Sequence, residues 1–332
     1  MKYRLVLVLT GVPLWPAMAA AADAPAAPAV EWVKLTPTVS PSPRDGMAMA
    51  YDVVSGKIVL FGGLGANTSY LGDTWTFDGV TWTQLTPPVS PPARVSAGMT
   101  FDALLQKLVM FGGYTEAAGY FGDTWIFDGA AGTWEEAKPY LSPPPVTAPC
   151  VFTDPDNGSA DVFGGFNSES GYSAGTWMFA GTTWLQLQPA TSPAGRTGAL
   201  SAFDHVAKNA VLFGGEADVS AQNTWTWDGA NWTEQAPARQ PPLLEFAAAA
   251  FDPGFRLLIA FGGESGGMLQ NGTWAWTGSD WAQLHPTTWP PPREFLGMAN
   301  DEAIGHVILF GGTTGYVYFD DTWELIPAAA GQ

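Results

Sequence analysis

The chain has 332 residues, of which 46% are hydrophobic and only 13% are charged, and its formal net charge is −18. This acidic balance argues against nucleic acid and anionic membrane surfaces as partners, because phosphate groups are neutralised by basic patches. The single cysteine excludes an internal disulfide framework and a cysteine-based zinc cluster.

The N-terminus begins with two basic residues, continues as an apolar run over residues 5–19 and ends in small residues. This order is typical of a secretory signal peptide. The run is broken by Pro13 and is too short to cross a bilayer, and no later stretch is long enough. We therefore predict a signal peptide at residues 1–21, a linker at 22–30 and a secreted or periplasmic protein without membrane insertion.

Six Gly-Gly pairs end apolar runs along the rest of the chain, at spacings of 50, 52, 50, 48 and 49 residues. An Asp precedes each pair by ten residues, and a Thr-Trp dipeptide follows each pair. A second Trp, five residues before a Pro, follows in every copy except the last. This fixed order at a fixed period indicates six copies of one structural unit. The pairs begin at Gly62, Gly112, Gly164, Gly214, Gly262 and Gly311.

The two ends of the chain complement each other. The sixth copy stops soon after Trp323 without a second Trp, whereas the sequence EWVKLTP near the start has Trp32 five residues before Pro37. The N-terminal strand is therefore expected to complete the last unit and to close a ring, which leaves no half-paired sheet at the seam.

Each unit contains four short strand signals. In the second copy they are RVSAGMTFD, KLVMFGG, DTWIFDG and TWEEAKP, which are rich in β-branched and aromatic residues and are separated by turn residues. Four antiparallel strands in each of six units predict an all-β, six-bladed propeller over residues 31–327, with a C-terminal tail at 328–332.

The strand that ends in Gly-Gly, the spaced Trp pair and the period near fifty resemble kelch repeats, such as those of the galactose oxidase central domain and of many exported bacterial proteins. The resemblance extends from Glu31 to about Pro327. It implies a kelch-type β-propeller, a fold that serves as enzyme, sugar binder or protein-interaction platform. Function must then come from residues that differ between the copies.

The loops between the second and third strands are long, variable and rich in Tyr and acidic residues, and antiparallel pairing places all of them on one face. Aromatic rings beside carboxylates suit a sugar ring or a basic peptide. We therefore predict a ligand-binding face for a carbohydrate, protein or peptide, although some of these Tyr side chains could simply pack against neighbouring loops. Its candidate residues are Tyr70, Tyr114, Glu116, Tyr120, Glu169, Tyr172, Glu216, Asp218, Glu264, Tyr316 and Tyr318.

Four arginines occupy one repeat position near the expected central opening, where they could bind a carboxylate or phosphate group: Arg44, Arg94, Arg196 and Arg293. The third and fifth copies lack both this Arg and the polar residue before Thr-Trp, since Gly175 and Gly272 replace Asp or Asn there. The paired loss favours a structural Arg–Asp contact within each blade. The four arginines remain candidates for the ligand-binding face as well.

Two enzymatic interpretations compete with that of a binding module. A copper radical oxidase of the galactose oxidase type requires a Tyr–Cys cross-link and two His ligands, whereas Cys150 falls at a small core position and the three His residues do not converge. A sugar epimerase or mutarotase remains the alternative, with Glu116, Glu216 and Glu264 available as acids or bases on the loop face and Glu245 and Glu294 near the channel. We favour a binding or interaction module without cofactor or metal, and the oligomeric state stays open.

Overall fold

The computed structural model describes residues 28–328, and these residues form strands and turns only. The predicted signal peptide, most of the predicted linker and the last four residues lie outside this range. Six sheets, each with a core of four antiparallel strands, surround a central channel. The predicted six-bladed propeller is confirmed.

The first three blades each begin with the innermost strand and end with the outermost one, and short extra strands extend their inner ends. In blade one, Arg44–Asp45 pairs with the second strand; in blades two and three, the extra strands form hairpins at Tyr114–Thr115 with Gly119–Tyr120 and at Phe166–Asn167 with Gly171–Tyr172. The main strands of blade one are Ala48–Asp52, Lys57–Gly65, Tyr70–Phe77 and Trp82–Leu85. Those of blade two are Gly98–Asp102, Lys107–Phe111, Thr124–Asp128 and Thr133–Ala137. Those of blade three are Cys150–Thr153, Ala160–Phe163, Thr176–Phe179 and Trp184–Leu187.

The last three blades repeat this plan, and blade five carries a further hairpin at Glu264–Ser265 with Met268–Leu269. Blade six takes its outermost strand from the N-terminus. The main strands of blade four are Leu200–Asp204, Asn209–Phe213, Thr224–Trp227 and Trp232–Gln235. Those of blade five are Ala248–Asp252, Leu257–Phe261, Thr273–Trp276 and Trp281–Leu284. Those of blade six are Gly297–Asp301, His306–Phe310, Thr322–Pro327 and Val30–Leu35.

The Gly-Gly pairs lie where neighbouring blades approach most closely. At the first pair, Gly62 has φ 69° and Gly63 has φ 105°. A Cβ on Gly62 would lie 2.7 Å from the carbonyl oxygen of Arg94 in the next blade, while the Gly63 N–H donates a 2.9 Å hydrogen bond to that same oxygen. Only glycine combines this left-handed backbone with so close an approach.

The second Trp of each repeat joins two blades. Its indole N–H donates to the hydroxyl of the Thr in the Thr-Trp dipeptide of the preceding blade, at 2.8 to 3.0 Å. Both groups are buried, so each bond satisfies a donor and an acceptor that water does not reach. The six donor and acceptor pairs are Trp82 and Thr322, Trp134 and Thr74, Trp184 and Thr124, Trp232 and Thr176, Trp281 and Thr224, and Trp32 and Thr273.

The N-terminal strand closes the ring as the sequence predicts. Val30–Leu35 pairs antiparallel with Thr322–Pro327, and the Ala328 N–H donates to the Ala29 carbonyl oxygen just beyond this ladder. Trp32 is 1% exposed and packs edge-on against Phe261 of blade five. The first described strand therefore contributes to the core as well as to the sheet.

Candidate functional site

The two faces of the ring differ in the length of their loops. The hairpins between first and second strands and between third and fourth strands share one face, and the loops between second and third strands form the other. We call the second one the long-loop face. It consists of residues 64–72, 114–123, 166–175, 216–223, 264–272 and 313–321, together with the segments that enter the innermost strands.

A closed ring of backbone hydrogen bonds surrounds the channel on the long-loop face. One residue from each blade donates its N–H to the carbonyl oxygen of its equivalent in a neighbouring blade, at 2.7 to 3.1 Å, and the sixth bond returns to the first residue. All six residues have φ between 43° and 60°. We call this ring the collar, and its members are Gly46, Ser96, Ala148, Gly198, Phe246 and Phe295.

Aromatic side chains form one continuous band across blades one to three. Ring centroids of successive members lie 6.5, 5.0, 6.3 and 5.1 Å apart, which is the range of favourable edge and tilted contacts. Each member is half-buried, so one side of each ring packs while part of it stays open to solvent. We call this band the aromatic arc, and its members are Tyr70, Tyr114, Tyr120, Phe166 and Tyr172.

Carboxylates line the remaining part of the face, on blades four, five, six and one. Burial and then Glu264 and Glu216 raise the pKa of Glu245, and burial, Glu264 and Glu245 raise the pKa of Glu294. Burial and the nearby Glu294 raise the pKa of Asp45 to about 7. These groups therefore sense one another's charge. We call them the acidic arc, and its members are Glu216, Glu245, Glu264, Glu294 and Asp45.

A hydrogen bond joins the two arcs. The Tyr172 hydroxyl donates to Oε1 of Glu216 at 2.8 Å, and this bond raises the pKa of Tyr172 to about 12. On the other side of the face, burial and Asp45 raise the pKa of Tyr318. The face thus has an aromatic half and an acidic half that meet at blades three and four.

A small cavity of about 260 Å³ opens where the arcs meet. The side chains of Phe246 and Phe295, both on the collar, stack with centroids 4.2 Å apart and form one wall. The collar contributes Ser96 and Ala148 as well, so the cavity lies next to the channel mouth. Other lining residues are Thr147, Phe166, Tyr172, Thr197 and Glu216.

The predicted arginines do not belong to this surface. Their residues are 0 to 1% exposed, and Arg44, Arg94 and Arg293 each form two hydrogen bonds with an Asp of the same blade, between 2.5 and 3.2 Å. Arg196 instead contacts the side-chain oxygen of Asn223 at 3.2 Å. The structural pairing is confirmed, and their placement on the ligand-binding face is corrected because no guanidinium is free to reach a ligand. The Asp partners are Asp73, Asp123 and Asp321.

Each of these Asp residues accepts a further hydrogen bond that the sequence did not suggest. The first Trp of the repeat donates its indole N–H to the Asp two residues earlier, at 2.7 to 2.8 Å. Charge and hydrogen bonds from Arg and Trp together outweigh burial and lower the pKa of Asp73, Asp123 and Asp321. In blade three, a Cβ on Gly175 would lie 2.8 Å from the indole nitrogen of Trp177, so that blade accommodates the Trp differently.

The remaining predicted residues lie on the long-loop face but outside the arcs. Glu116, Glu169, Asp218 and Tyr316 are exposed on loop tips, and Tyr316 is 96% exposed. Whether any of them contacts a ligand stays a prediction. Sequence reasoning missed Asp45, Phe166, Phe246, Phe295 and the convergence of Glu245 with Glu294. The repeats contain one signal for the left-handed collar position, since Gly46 and Gly198 occupy it in two blades, whereas Phe246 and Phe295 occupy it in two others.

Cys150 and the histidines, the residue types that oxidase chemistry would use, lie apart in the propeller. Cys150 is buried, its thiol donates to the Ala199 carbonyl oxygen at 3.4 Å, and burial raises its pKa to about 11. His205 lies between Phe203 and Phe251 on the face opposite the long-loop face, and His285 is exposed after an outermost strand. Within residues 28–328, no group of three His, Cys, Asp or Glu side chains has the arrangement of a metal site.

The central channel is a larger cavity of about 760 Å³, bounded by the innermost strands of all six blades. Small side chains such as Ala50, Gly98 and Ala249 make up much of its wall. Its lining also includes polar side chains such as Thr100, Ser201 and Asn300.

The repeat geometry agrees with a comparison against protein families. The model of the KLHDC2/KLHL20/DRC7 Kelch-repeats domain matches residues 28–153, which include blades one and two and the innermost strand of blade three. The chain is a six-bladed β-propeller, and this part of it is similar to a Kelch-repeats domain. No curated protein matches the chain. Among its described residues, no helix has the length and apolar character needed to cross a membrane.

Proposed function

We propose that this propeller is an exported, kelch-type protein-interaction module that binds its partner through the long-loop face. A kelch propeller suggests an interaction platform rather than a sugar epimerase. The pattern at residues 1–21 supports export. Cleavage at that site and recovery of the mature chain outside the cytoplasm would test this part of the proposal.

The observation that carries the proposal is the unbroken aromatic arc. Five half-buried rings in mutual contact form a preorganised apolar surface, and the collar beneath them holds the innermost segments in place. Aromatic residues that are already ordered lose little entropy on binding and commonly dominate the energy of protein interfaces. The acidic arc beside them adds a charge preference.

The test replaces two central rings and compares the proteins that are captured. Immobilised wild type, the Tyr120→Ala/Tyr172→Ala double variant and the Tyr140→Ala variant are incubated with the exported proteins of the source organism. Tyr140 is 99% exposed in the link between blades two and three, away from the arc, and is the matched control. We expect capture to fall at least about tenfold in the double variant only.

Equal capture by the wild type and the double variant would contradict the proposal, because binding would then use another surface. A glycan array with the same three proteins separates the chemistry of the partner. Glycan binding that depends on Tyr120 and Tyr172, without protein capture, would replace the protein partner with a carbohydrate.

A further inference from the structure

The cavity between the two arcs combines aromatic walls with an uncompensated carboxylate. Phe166 and Tyr172 come from the aromatic arc, Phe246 and Phe295 come from the collar, and Glu216 lies at the edge. Oε1 of Glu216 accepts the Tyr172 hydroxyl, whereas its other oxygen makes no hydrogen bond within residues 28–328. One acceptor of the cavity is therefore available to a ligand.

The negative charge around the cavity has no counter-ion within the described part of the chain. The salt bridges found there involve other carboxylates, and none includes a member of the acidic arc. Asp45 is 7% exposed, its carboxylate makes no hydrogen bond among residues 28–328, and it lies close enough to Glu294 to sense its charge. Of the acidic arc, Glu216 is the member that lines the cavity, and an incoming cation would be stabilised beside it.

Arginine matches the two kinds of group that the cavity provides. Its planar guanidinium stacks on aromatic faces and donates parallel hydrogen bonds to a carboxylate, and it sheds water more readily than an ammonium group. We propose that the cavity receives an arginine side chain from a segment of the partner protein, with its guanidinium against the Phe246 and Phe295 pair and paired with Glu216. This inference rests on the proposed interaction function and specifies the chemistry of the partner.

The surrounding face fits a segment that continues beyond the arginine. Residues on one side of it would lie along the aromatic arc, and further basic residues on the other side would face Glu245, Glu264 and Glu294. The formal net charge of −18 favours the approach of a basic partner at long range. The cavity therefore selects the residue, and the two arcs set the direction of the segment.

The experiment titrates the mature protein with three capped pentapeptides that have two glycines on each side of a central residue. The central residue is arginine, lysine or citrulline, the last being the neutral analogue of arginine. Ligand-observed NMR detects binding up to roughly 20 mM peptide. We expect saturable binding of the arginine peptide with a dissociation constant of about 1 mM and at least tenfold weaker binding of the citrulline peptide.

Two variants assign the binding to the cavity. Glu216→Gln removes the charge at an exposed side chain and is expected to weaken the arginine peptide about tenfold. Glu135→Gln makes the same change at an exposed position on the outermost strand of blade two, outside the long-loop face, and is expected to leave binding unchanged. Thermal melting of both variants verifies that they fold.

Three results would overturn the inference: no saturable binding of the arginine peptide, equal binding of the citrulline peptide, or equal loss in both variants. Equal binding of the lysine peptide would overturn the assignment to arginine. If these titrations fail while the Tyr120→Ala/Tyr172→Ala variant still loses its partner, the inference about the cavity is wrong and the proposed function stands.

Discussion

At the scale of single residues, Asp161 places a carboxyl group at a core position that is apolar in the other blades. It is fully buried three residues before a Gly-Gly pair, where the other five blades carry Val or Ile. Its Oδ2 accepts the Trp227 indole N–H at 3.0 Å, while its Oδ1 has no hydrogen-bond partner within the described residues. Burial and the nearby Asp154 raise the pKa of Asp161 to about 10, so it is protonated at neutral pH.

This raised pKa predicts that Asp161 costs stability as the pH rises. Above about pH 4 the unfolded chain releases this proton while the folded chain keeps it, so the stability lost to this group grows from there up to the folded pKa of about 10. Asp161→Asn keeps the shape and has no proton to lose. We expect it to raise the free energy of unfolding by about 1 kcal/mol at pH 7 and to flatten its pH dependence.

Urea denaturation between pH 5 and 9 measures this effect. Asp320→Asn is the control, because Asp320 is exposed and its side chain forms no hydrogen bond among the described residues. A variant at Asp161 that is less stable than wild type at pH 9 would show that the carboxylate is ionised and satisfied in the folded state.

At the scale of the element, Arg–Asp pairs hold blades one, two and six together internally, and neutral hydrogen bonds join neighbouring blades. The Arg–Asp pairs join the entry to the innermost strand with the start of the third strand of the same blade, and the Trp–Thr bonds join the outer strands of one blade to the next. In blade four Arg196 contacts Asn223 instead of an Asp, and blades three and five lack the Arg as well, since Val146 and Leu244 are buried at its position. Those two blades rely on apolar packing at this point.

The Arg94 and Asp123 pair is expected to show strong energetic coupling. Either Ala substitution leaves a charged group buried or half-buried without its partner and should cost about 3 to 5 kcal/mol. The double substitution should cost about 2 kcal/mol less than the two single costs combined. The same cycle at Glu136 and Lys138, an exposed pair 3.9 Å apart, should give a coupling below about 0.5 kcal/mol. Additive losses at Arg94 and Asp123 would contradict the pairing.

The Trp–Thr bonds between blades predict a different pair of effects. Thr124→Val keeps the shape of the side chain but leaves the buried Trp184 indole N–H without an acceptor, and should cost about 1 to 3 kcal/mol. Thr124→Ser keeps the hydroxyl and should cost less, although it removes a methyl group. Equilibrium urea denaturation distinguishes the two, and a larger loss in the Ser variant would show that the methyl contact matters more.

At the scale of the whole molecule, closure of the ring depends on a strand from the opposite end of the sequence. Val30–Leu35 covers the edge that Thr322–Pro327 would otherwise expose, and Trp32 fills the interface with blade five. The N-terminal strand therefore completes the sheet of blade six and closes the ring of six blades. An exposed edge strand at the seam would be able to pair with another molecule.

Removal of this strand should destabilise the ring as a whole. A chain that begins after Leu35 should lose cooperative unfolding and self-associate, whereas a chain that begins at residue 28 should melt as the mature protein does. Trp32→Phe should have an intermediate effect, because it keeps most of the packing but loses the bond to Thr273. Light scattering and thermal melting test this, and a monomeric, cooperatively folded short chain would contradict the prediction.

The fold was predictable because the same residue pattern occurs in six copies. The Gly-Gly pairs, the two Trp positions and Trp32 at the start of the chain fixed the number of blades, their strands and the closure. The Arg–Asp pairing was also predictable, because both partners disappear together in blades three and five. These features share one cause, since each belongs to a contact within a repeat or between adjacent repeats.

The candidate site was predicted only in part. The long loops indicated the face, but the contact between Tyr120 and Phe166 depends on the angle between blades, which one sequence does not reveal. The four arginines were wrongly assigned to the ligand-binding face, because a position at the start of the innermost strand does not tell whether the side chain is buried. The collar was missed because serine and phenylalanine rarely adopt a left-handed backbone. At Ser96 and Phe246, hydrogen bonds to neighbouring blades impose this conformation.

The collar has an electrostatic consequence for the channel mouth. Its six N–H to C=O bonds follow one another around the axis, so the peptide dipoles run head to tail along a circle and their components cancel. A helix end presents unpaired backbone groups and attracts ions of one sign, whereas this ring has neither a first nor a last bond. The backbone at the opening is therefore neutral toward cations and anions. Evolution can change the charge that this mouth admits by altering side chains alone, without rebuilding the scaffold.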